Sequence, residues 1–153
     1  NPFNLYVANV IFEKDSILIE TKKKIFKINI EKKFLLKKLS HWTEKQIKNS
    51  LKNKKKETII RDYIFNNIDV ISNDLIAISK EYKTTYWRID IFANDLDNNF
   101  VIIEIKNRKI ETADVFQIKK YYDFFEEIWI KISECYLLWT WVINSVQTQK
   151  DFL

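Results

Sequence analysis

A chain of 153 residues, 46% hydrophobic and 15% aromatic, is large enough for one domain with an ordinary core, and that composition excludes a disordered segment. Its apolar runs are too short to span a bilayer, its N-terminus lacks a charged stretch leading into an apolar one, and its one cysteine, Cys135, excludes an internal disulfide or a cysteine-built zinc site. The net charge of +5 conceals an asymmetry: residues 1–56 hold fifteen Lys against five acids, a balance of +10, whereas residues 57–153 hold eleven Lys and Arg against sixteen acids, a balance of −5.

A basic half beside an acidic half suits an enzyme that handles a polyanion, with lysines for its backbone and carboxylates for a metal. AT-rich coding, which inflates Lys everywhere, is the competing account, and it leaves the one-sided surplus unexplained. A reducing, cytoplasmic setting without signal peptide or transmembrane segment is expected, with Cys135 as a buried strand residue. Glycine is absent altogether. The turns must therefore rely on Asn and Asp, which tolerate left-handed backbone best after glycine.

In chain order, Leu5–Phe12, Ser16–Glu20 and residues 25–30 are short β-branched or aromatic runs separated by polar breaks, the pattern of a small antiparallel meander. Residues 31–39 read as a short helix. Thr43-Glu44-Lys45-Gln46 resembles a capping box opening a polar helix. Residues 52–56 carry four lysines and no apolar residue, and are the candidate linker. The chain thus divides into a basic β-rich extension, residues 1–56, and a second unit, residues 57–153. In the latter Ile60, Ile64 and Ile68 recur every four residues, predicting an amphipathic helix over 57–70. Strands are predicted over 75–82, 88–93 and 100–106, the last two joined by a polar hairpin turn. Thr112 is placed to cap a helix from Ala113 to about Trp129, with Val115, Ile118 and Tyr122 on one side. Residues 135–142 form a final, wholly apolar strand. The order is α-β-β-β-α-β, an α/β fold with a central mixed sheet flanked by helices.

A hairpin turn centred on Asp97 pairs residues whose numbers sum to 194, which sets Asp90 opposite Glu104. Opposed Cβ atoms lie about 5 Å apart. Two carboxylates at that separation repel unless a cation or proton lies between them. Alternation along the strand puts Lys106 on the same face as Glu104, with Ile103 and Ile105 facing the other way. Hard oxygen ligands suit Mg²⁺ or Mn²⁺, and a nearby ammonium suits the charge that builds on phosphorus during phosphodiester hydrolysis. A solvated sheet face with Glu–Lys pairing is the alternative. Glu57 falls near the start of the preceding helix. Gln117 and Tyr121 lie four apart, on one face of the following helix, with ordinary half-exposed helix surface as their plainer reading.

Arg88-Ile89-Asp90-Ile91-Phe92-Ala93, then Val101-Ile102-Ile103-Glu104-Ile105-Lys106, then Gln117 and Tyr121, resemble the PD-(D/E)XK nuclease superfamily. Within it they are most similar to the catalytic domain of NucS-type endonucleases, which cut branched, single-strand-bearing or mismatched DNA. The resemblance covers about residues 57–125. It implies a restriction-endonuclease-like core and a Mg²⁺- or Mn²⁺-dependent endodeoxyribonuclease of DNA repair. Asp90, Glu104 and the Ile105 carbonyl would be metal ligands, and Lys106 the catalytic lysine. Glu57 would be an outer metal-shell carboxylate, Gln117 and Tyr121 positioners of phosphate or water, and Arg88 a backbone contact near the scissile phosphate. DNA, branched or partly single-stranded, is the implied partner, and a homodimer is compatible with the resemblance.

Two departures bear on substrate choice. The glycine that usually precedes the R-I-D strand is here Trp87, which narrows the cleft, stacks on an unpaired base or covers the sheet edge. Ile89 replaces the Pro of the superfamily name, a frequent exchange. Lys54, Lys55 and Lys56, just before Glu57, are candidate phosphate contacts. His41 and the Trp139/Trp141 pair have ordinary packing or a subunit contact as their first reading. A restriction-like or junction-resolving nuclease, and a non-catalytic nucleic-acid-binding module derived from a nuclease, are the competing functions.

Overall fold

The computed structural model describes residues 3–29, 44–83 and 88–140, with side chains from residue 55 onward in the helix that starts at Glu44. The expected helix over 31–39, Thr43, His41, Trp87, Trp141 and the Lys54 side chain lie outside the described residues. Nine main elements follow one another: β1 (Leu5–Phe12), β2 (Ser16–Glu20), β3 (Ile25–Asn29), α1 (Glu44–Asn66), β4 (Ile76–Lys83), β5 (Arg88–Asn94), β6 (Phe100–Lys106), α2 (Thr112–Glu127) and β7 (Ile132–Thr140). From α1 onward this is the α-β-β-β-α-β order expected from the sequence.

The strands make one seven-stranded sheet in the order β3-β2-β1-β7-β6-β5-β4. All neighbours are antiparallel except β6 and β7. That parallel pair needs a crossover, which α2 supplies. Consecutive residues of β6 point to opposite faces and enter different cores. Ile102 belongs to one core cluster with Val115, Ile118 and Phe125 of α2 and Ala8 and Val10 of β1. Ile103 and Ile105 pack with Ile60 and Ile64 of α1. The two helices therefore cover opposite faces. Each fully buried Ile contributes about 1.5–3 kcal/mol, so the continuous apolar run of β6 belongs at the centre of the sheet.

Several expectations are corrected. The two helices anticipated on either side of residues 52–56 are one helix of 23 residues, so the lysine run is helical rather than a linker. Lys is a good helix former and carries no breaker. The helix ends at Asn66, followed by a short 3₁₀ turn, Ile68–Val70. The N-terminal meander is not set apart from the second unit, because β1 pairs with β7 from Leu5↔Thr140 to Asn9↔Tyr136. Glu111, not Thr112, caps α2, and its N–H donates to Asp114 Oδ2 at 2.8 Å. The helix stops at Glu127, and its buried residues Val115, Ile118 and Tyr121 are joined by a partly buried Tyr122. The fourth strand of the expected core starts at Ile132 rather than at 135 and reaches Thr140, its expected end at 141–142 lying outside the described residues, and Cys135 is buried in it as anticipated. Burial also pushes the Cys135 thiol well up, away from the reactive thiolate. Trp139 is buried and stacks on Tyr6, with ring centroids 5.5 Å apart.

Without glycine, left-handed backbone falls on Asn4, Glu81, Asn98 and Trp129. Asn98 closes the β5–β6 turn, where Asp95 Oδ1 accepts from the N–H groups of Asp97 (3.0 Å) and Asn99 (2.8 Å). This is the Asn/Asp turn chemistry the composition demanded. Glu81 and Trp129 are bulkier than that rule anticipates.

Candidate active site

The β5–β6 hairpin has the expected register. Ile91↔Ile103, Phe92↔Ile102, Ala93↔Val101 and Asn94↔Phe100 are Cα partners. One further step along the same register sets Asp90 against Glu104. Their contact is reciprocal: the Asp90 N–H donates to Glu104 Oε1 at 3.1 Å, and the Ile105 N–H donates to Asp90 Oδ2 at 2.9 Å. Each acid is anchored by the other's strand.

Glu104 is 2% exposed, which removes the solvated-face reading. Burial, and then the Asp90 carboxylate beside it, raise its pKa well above the usual carboxylate range. Lys106, half-buried two residues on, opposes that shift. Glu57 is not at the start of its helix but well inside α1, where its Oε1 accepts the Asn107 N–H at 3.0 Å. Its pKa is raised by burial, against the pull of that hydrogen bond and of Lys106. Glu57 thus ties α1 to the end of β6, within electrostatic reach of Lys106 and Asp90.

Helix α2 roofs the acids. Tyr121, whose plainer reading was half-exposed helix surface, is buried. Gln117 Nε2 donates to its hydroxyl at 2.8 Å, and the hydroxyl donates to the Arg88 carbonyl at 3.2 Å. Burial, then the charges of Glu104 and Asp90, push the Tyr121 phenol strongly up, which sets it beside them as a neutral group. The Arg88 side chain is exposed and reaches Glu81 Oε1 at 3.3 Å.

Two arrangements escaped the sequence reading. Arg61 is only 6% exposed, and its guanidinium holds Asp62 (2.8 Å) and Glu81. Its place beside Ile60 on the buried stripe of α1 was the available signal. Arg108 grips buried Asp114 through two bonds of 2.8 Å, fixing the turn after β6 to the start of α2. The Glu111-x-x-Asp114 spacing, a capping box with its acids exchanged, could have revealed it.

Among the described residues no three His, Cys, Asp or Glu side chains converge as a metal cluster. The donor set nonetheless fits a hard divalent cation. Two adjacent carboxylates, one wholly buried and driven toward protonation by the other, are relieved by a cation as by a proton. Mg²⁺ characteristically takes one or two carboxylates and completes its shell with waters and substrate phosphates.

The profile of the Endonuclease NucS C-terminal domain family matches residues 56–134, from the middle of α1 into β7. Among individual proteins, Endonuclease NucS of Sulfolobus acidocaldarius is 37% identical over 67 residues, covering 44% of this chain. That of Methanocaldococcus jannaschii is 34% identical over 70 residues, covering 46% of this chain. The match spans 27% of the length of each relative. A solved structure described as a repair endonuclease from Pyrococcus abyssi superposes with a TM-score of 0.40 at 22% identity, over 78% of this chain and 50% of that one. The profile match takes in just over half of the 153 residues, with Glu57, Asp90, Glu104, Lys106 and Tyr121 all inside it, and on that ground the chain belongs to the Endonuclease NucS C-terminal domain family.

Proposed function

We propose that this chain carries the catalytic centre of a divalent-metal-dependent endonuclease of the PD-(D/E)XK type. Its substrate is DNA, cut at branched, single-strand-bearing or mismatched structures. The observation that carries the reading is the reciprocal Asp90–Glu104 contact beside Lys106, within the segment that places the chain in its family. Asp90, Glu104 and the Ile105 carbonyl would hold Mg²⁺ or Mn²⁺. Such an ion supplies a polarised phosphoryl oxygen and an acidified water.

The remaining work falls to the chain's own side chains. Lys106 places a positive charge next to the acids, where it stabilises the charge that builds on the attacked phosphate. Tyr121, neutral and buried, excludes water from the α2 side of Glu104 and holds the start of β5 through the Arg88 carbonyl. Gln117 fixes the orientation of that phenol. Arg88 is positioned to exchange Glu81 for a substrate phosphate. The deciding experiment incubates the protein with end-labelled branched, mismatched, single-stranded and plain duplex DNA, with Mn²⁺ or EDTA. Mn²⁺-dependent cutting that favours the irregular substrates, and is lost in Asp90→Ala, is the expected result. Absence of cutting on all four substrates refutes the reading.

A further inference from the structure

Arg61, Glu81 and Arg88 form a chain of charge beside the acids. Arg61 follows Glu57 by four residues, one turn of α1, and Arg88 precedes Asp90 by two along β5. Glu81 joins them from β4. Its neighbours pair as Lys80↔Ile91 and Tyr82↔Ile89, which brackets Glu81 opposite Asp90. A single oxygen, Glu81 Oε1, accepts from both guanidiniums. Glu81 holds this place with left-handed backbone, φ 55°, a conformation that is costly for any residue with a Cβ. An outlier of that kind inside a strand points to a constraint other than the ladder.

The two arms of the bridge are unequal. Arg61 is buried, and its Nε (3.1 Å) and Nη2 (2.8 Å) both donate to Asp62 Oδ1, which fixes the guanidinium. Taking Glu81 from it would leave a buried charge short of a partner. The Arg88 side chain is 48% exposed and its bond to Glu81 is 3.3 Å long, the kind of pair that water screens and a competitor replaces. An oxygen that gathers a guanidinium in this way occupies the position a phosphate oxygen would take. The hydrogen bond and charge of Arg61, with smaller help from Arg88 and Lys83, hold the Glu81 pKa below the usual carboxylate range, so the group is an anion at neutral pH.

We propose that Glu81 is an internal competitor for DNA: it holds Arg88 in the free protein, and a backbone phosphate of the bound strand takes Arg88 from it while Glu81 stays on Arg61. The inference rests on the nuclease reading for its ligand, and it adds to that reading a residue that sets how tightly the strand is held. Because Glu81 keeps Arg61, the exchange strands no buried charge. The released arm closes again when the strand leaves, so the competition lowers affinity for every bound strand and speeds its departure.

The test is a double-mutant cycle on E81Q and R88Q, read by anisotropy of a fluorescein-labelled branched DNA in EDTA. Gln keeps an oxygen for the Arg61 bond, and the urea midpoint of each variant checks that the fold holds. E81Q is expected to raise affinity about threefold to fivefold, the scale of a half-exposed ion pair that no longer has to be broken. In the R88Q background the same change is expected to alter affinity by less than about 1.5-fold, because the competition is already gone. A gain of equal size in both backgrounds makes Glu81 one more negative charge near the DNA and overturns the proposal, as does no gain in E81Q. A second measurement leaves Glu81 in place. The NMR signal of the Arg88 Nε–H, assigned by its loss in R88Q, is expected to shift when the DNA is added, while that of Arg61, held by Asp62, stays. An Arg88 signal that stays, or an Arg61 signal that moves as far, overturns the proposal. Cleavage with Mn²⁺ is followed in parallel. A wild-type protein that binds the DNA and cuts nothing refutes the nuclease reading alone, since the binding cycle still decides the role of Glu81.

Discussion

Asp90 and Glu104 hold each other through backbone: the Asp90 N–H donates to Glu104 Oε1 at 3.1 Å, and Asp90 Oδ2 accepts the N–H of Ile105, the residue next to Glu104, at 2.9 Å. The pair is thus locked before any ligand arrives, at the cost of holding two carboxylates together. Asp90→Ala and Glu104→Ala are each expected to lower cleavage by at least about 100-fold, the scale of losing one element of electrostatic stabilisation. DNA affinity without metal is expected to stay close to wild-type, because each change removes a negative charge from the face that meets phosphate. Single-turnover cleavage and anisotropy on the same DNA check both halves. A variant that cuts at wild-type rate removes the hairpin from the active site.

The same pair predicts a pH dependence of stability. Burial and Asp90 hold the Glu104 pKa well above its ordinary 4.5, so the folded protein binds this proton more tightly than the unfolded chain does. For a raised acid, stability is fully present below the unfolded value and is lost as pH rises from there through the folded pKa. Glu57, also raised by burial, contributes with the same sign. In EDTA the urea midpoint of wild-type is therefore expected to fall relative to Glu104→Gln as the pH rises above the ordinary carboxylate value of 4.5. Saturating Mn²⁺ is expected to restore it, by about 2.7 kcal/mol at a hundredfold excess over Kd. A wild-type midpoint that tracks Glu104→Gln across the range contradicts this account.

Lys106 carries its charge two residues from Glu104, within reach of both Glu104 and Glu57. Lys106→Ala is expected to reduce the cleavage rate by at least about 100-fold, since it removes a charge partner of the reacting phosphate. Metal affinity, measured by Mn²⁺ titration of cleavage, is expected to fall slightly or stay constant, because an ammonium is not a ligand. Loss of metal affinity with an unchanged rate at saturating Mn²⁺ would assign Lys106 a different role.

The centre of this molecule was legible in the sequence because it depends on period-two alternation and on one turn. Asp97 as the midpoint of the polar stretch was enough to pair Ile91 with Ile103 and hence Asp90 with Glu104. Contacts between elements were not legible in this way. Tyr121 lies four residues from both Gln117 and Phe125, so spacing alone did not say which of its two faces is buried. The fusion of the two expected helices went unseen because a run of lysines reads equally as linker and as exposed helix. The Arg61–Glu81 ion pair and the pairing of β1 with β7 join residues twenty or more positions apart, beyond what local pattern can specify.

The helical lysine run leads to the last prediction. Lys55 and Lys56 are exposed on α1, directly before Glu57, whose carboxylate reaches the Asn107 N–H beside Lys106. The helix passes through this point rather than starting there, so the two ammonium groups belong to a rigid element anchored at the active-site end of β6. Phosphates approaching the acids from the α1 side meet these charges first. Each phosphate contact contributes about −0.9 to the slope of log affinity against log salt on duplex DNA. Lys55→Gln with Lys56→Gln is therefore expected to flatten the slope by up to about two and to weaken binding to every sequence alike. Helix content and thermal midpoint are expected to hold, since Gln and Lys have similar helix propensity. The rate at saturating DNA is expected to change by less than about twofold, because a contact made equally in ground and transition states alters KM rather than kcat. A slope identical to wild-type would place the DNA track away from α1, and would leave this stretch of lysines as solvated helix surface.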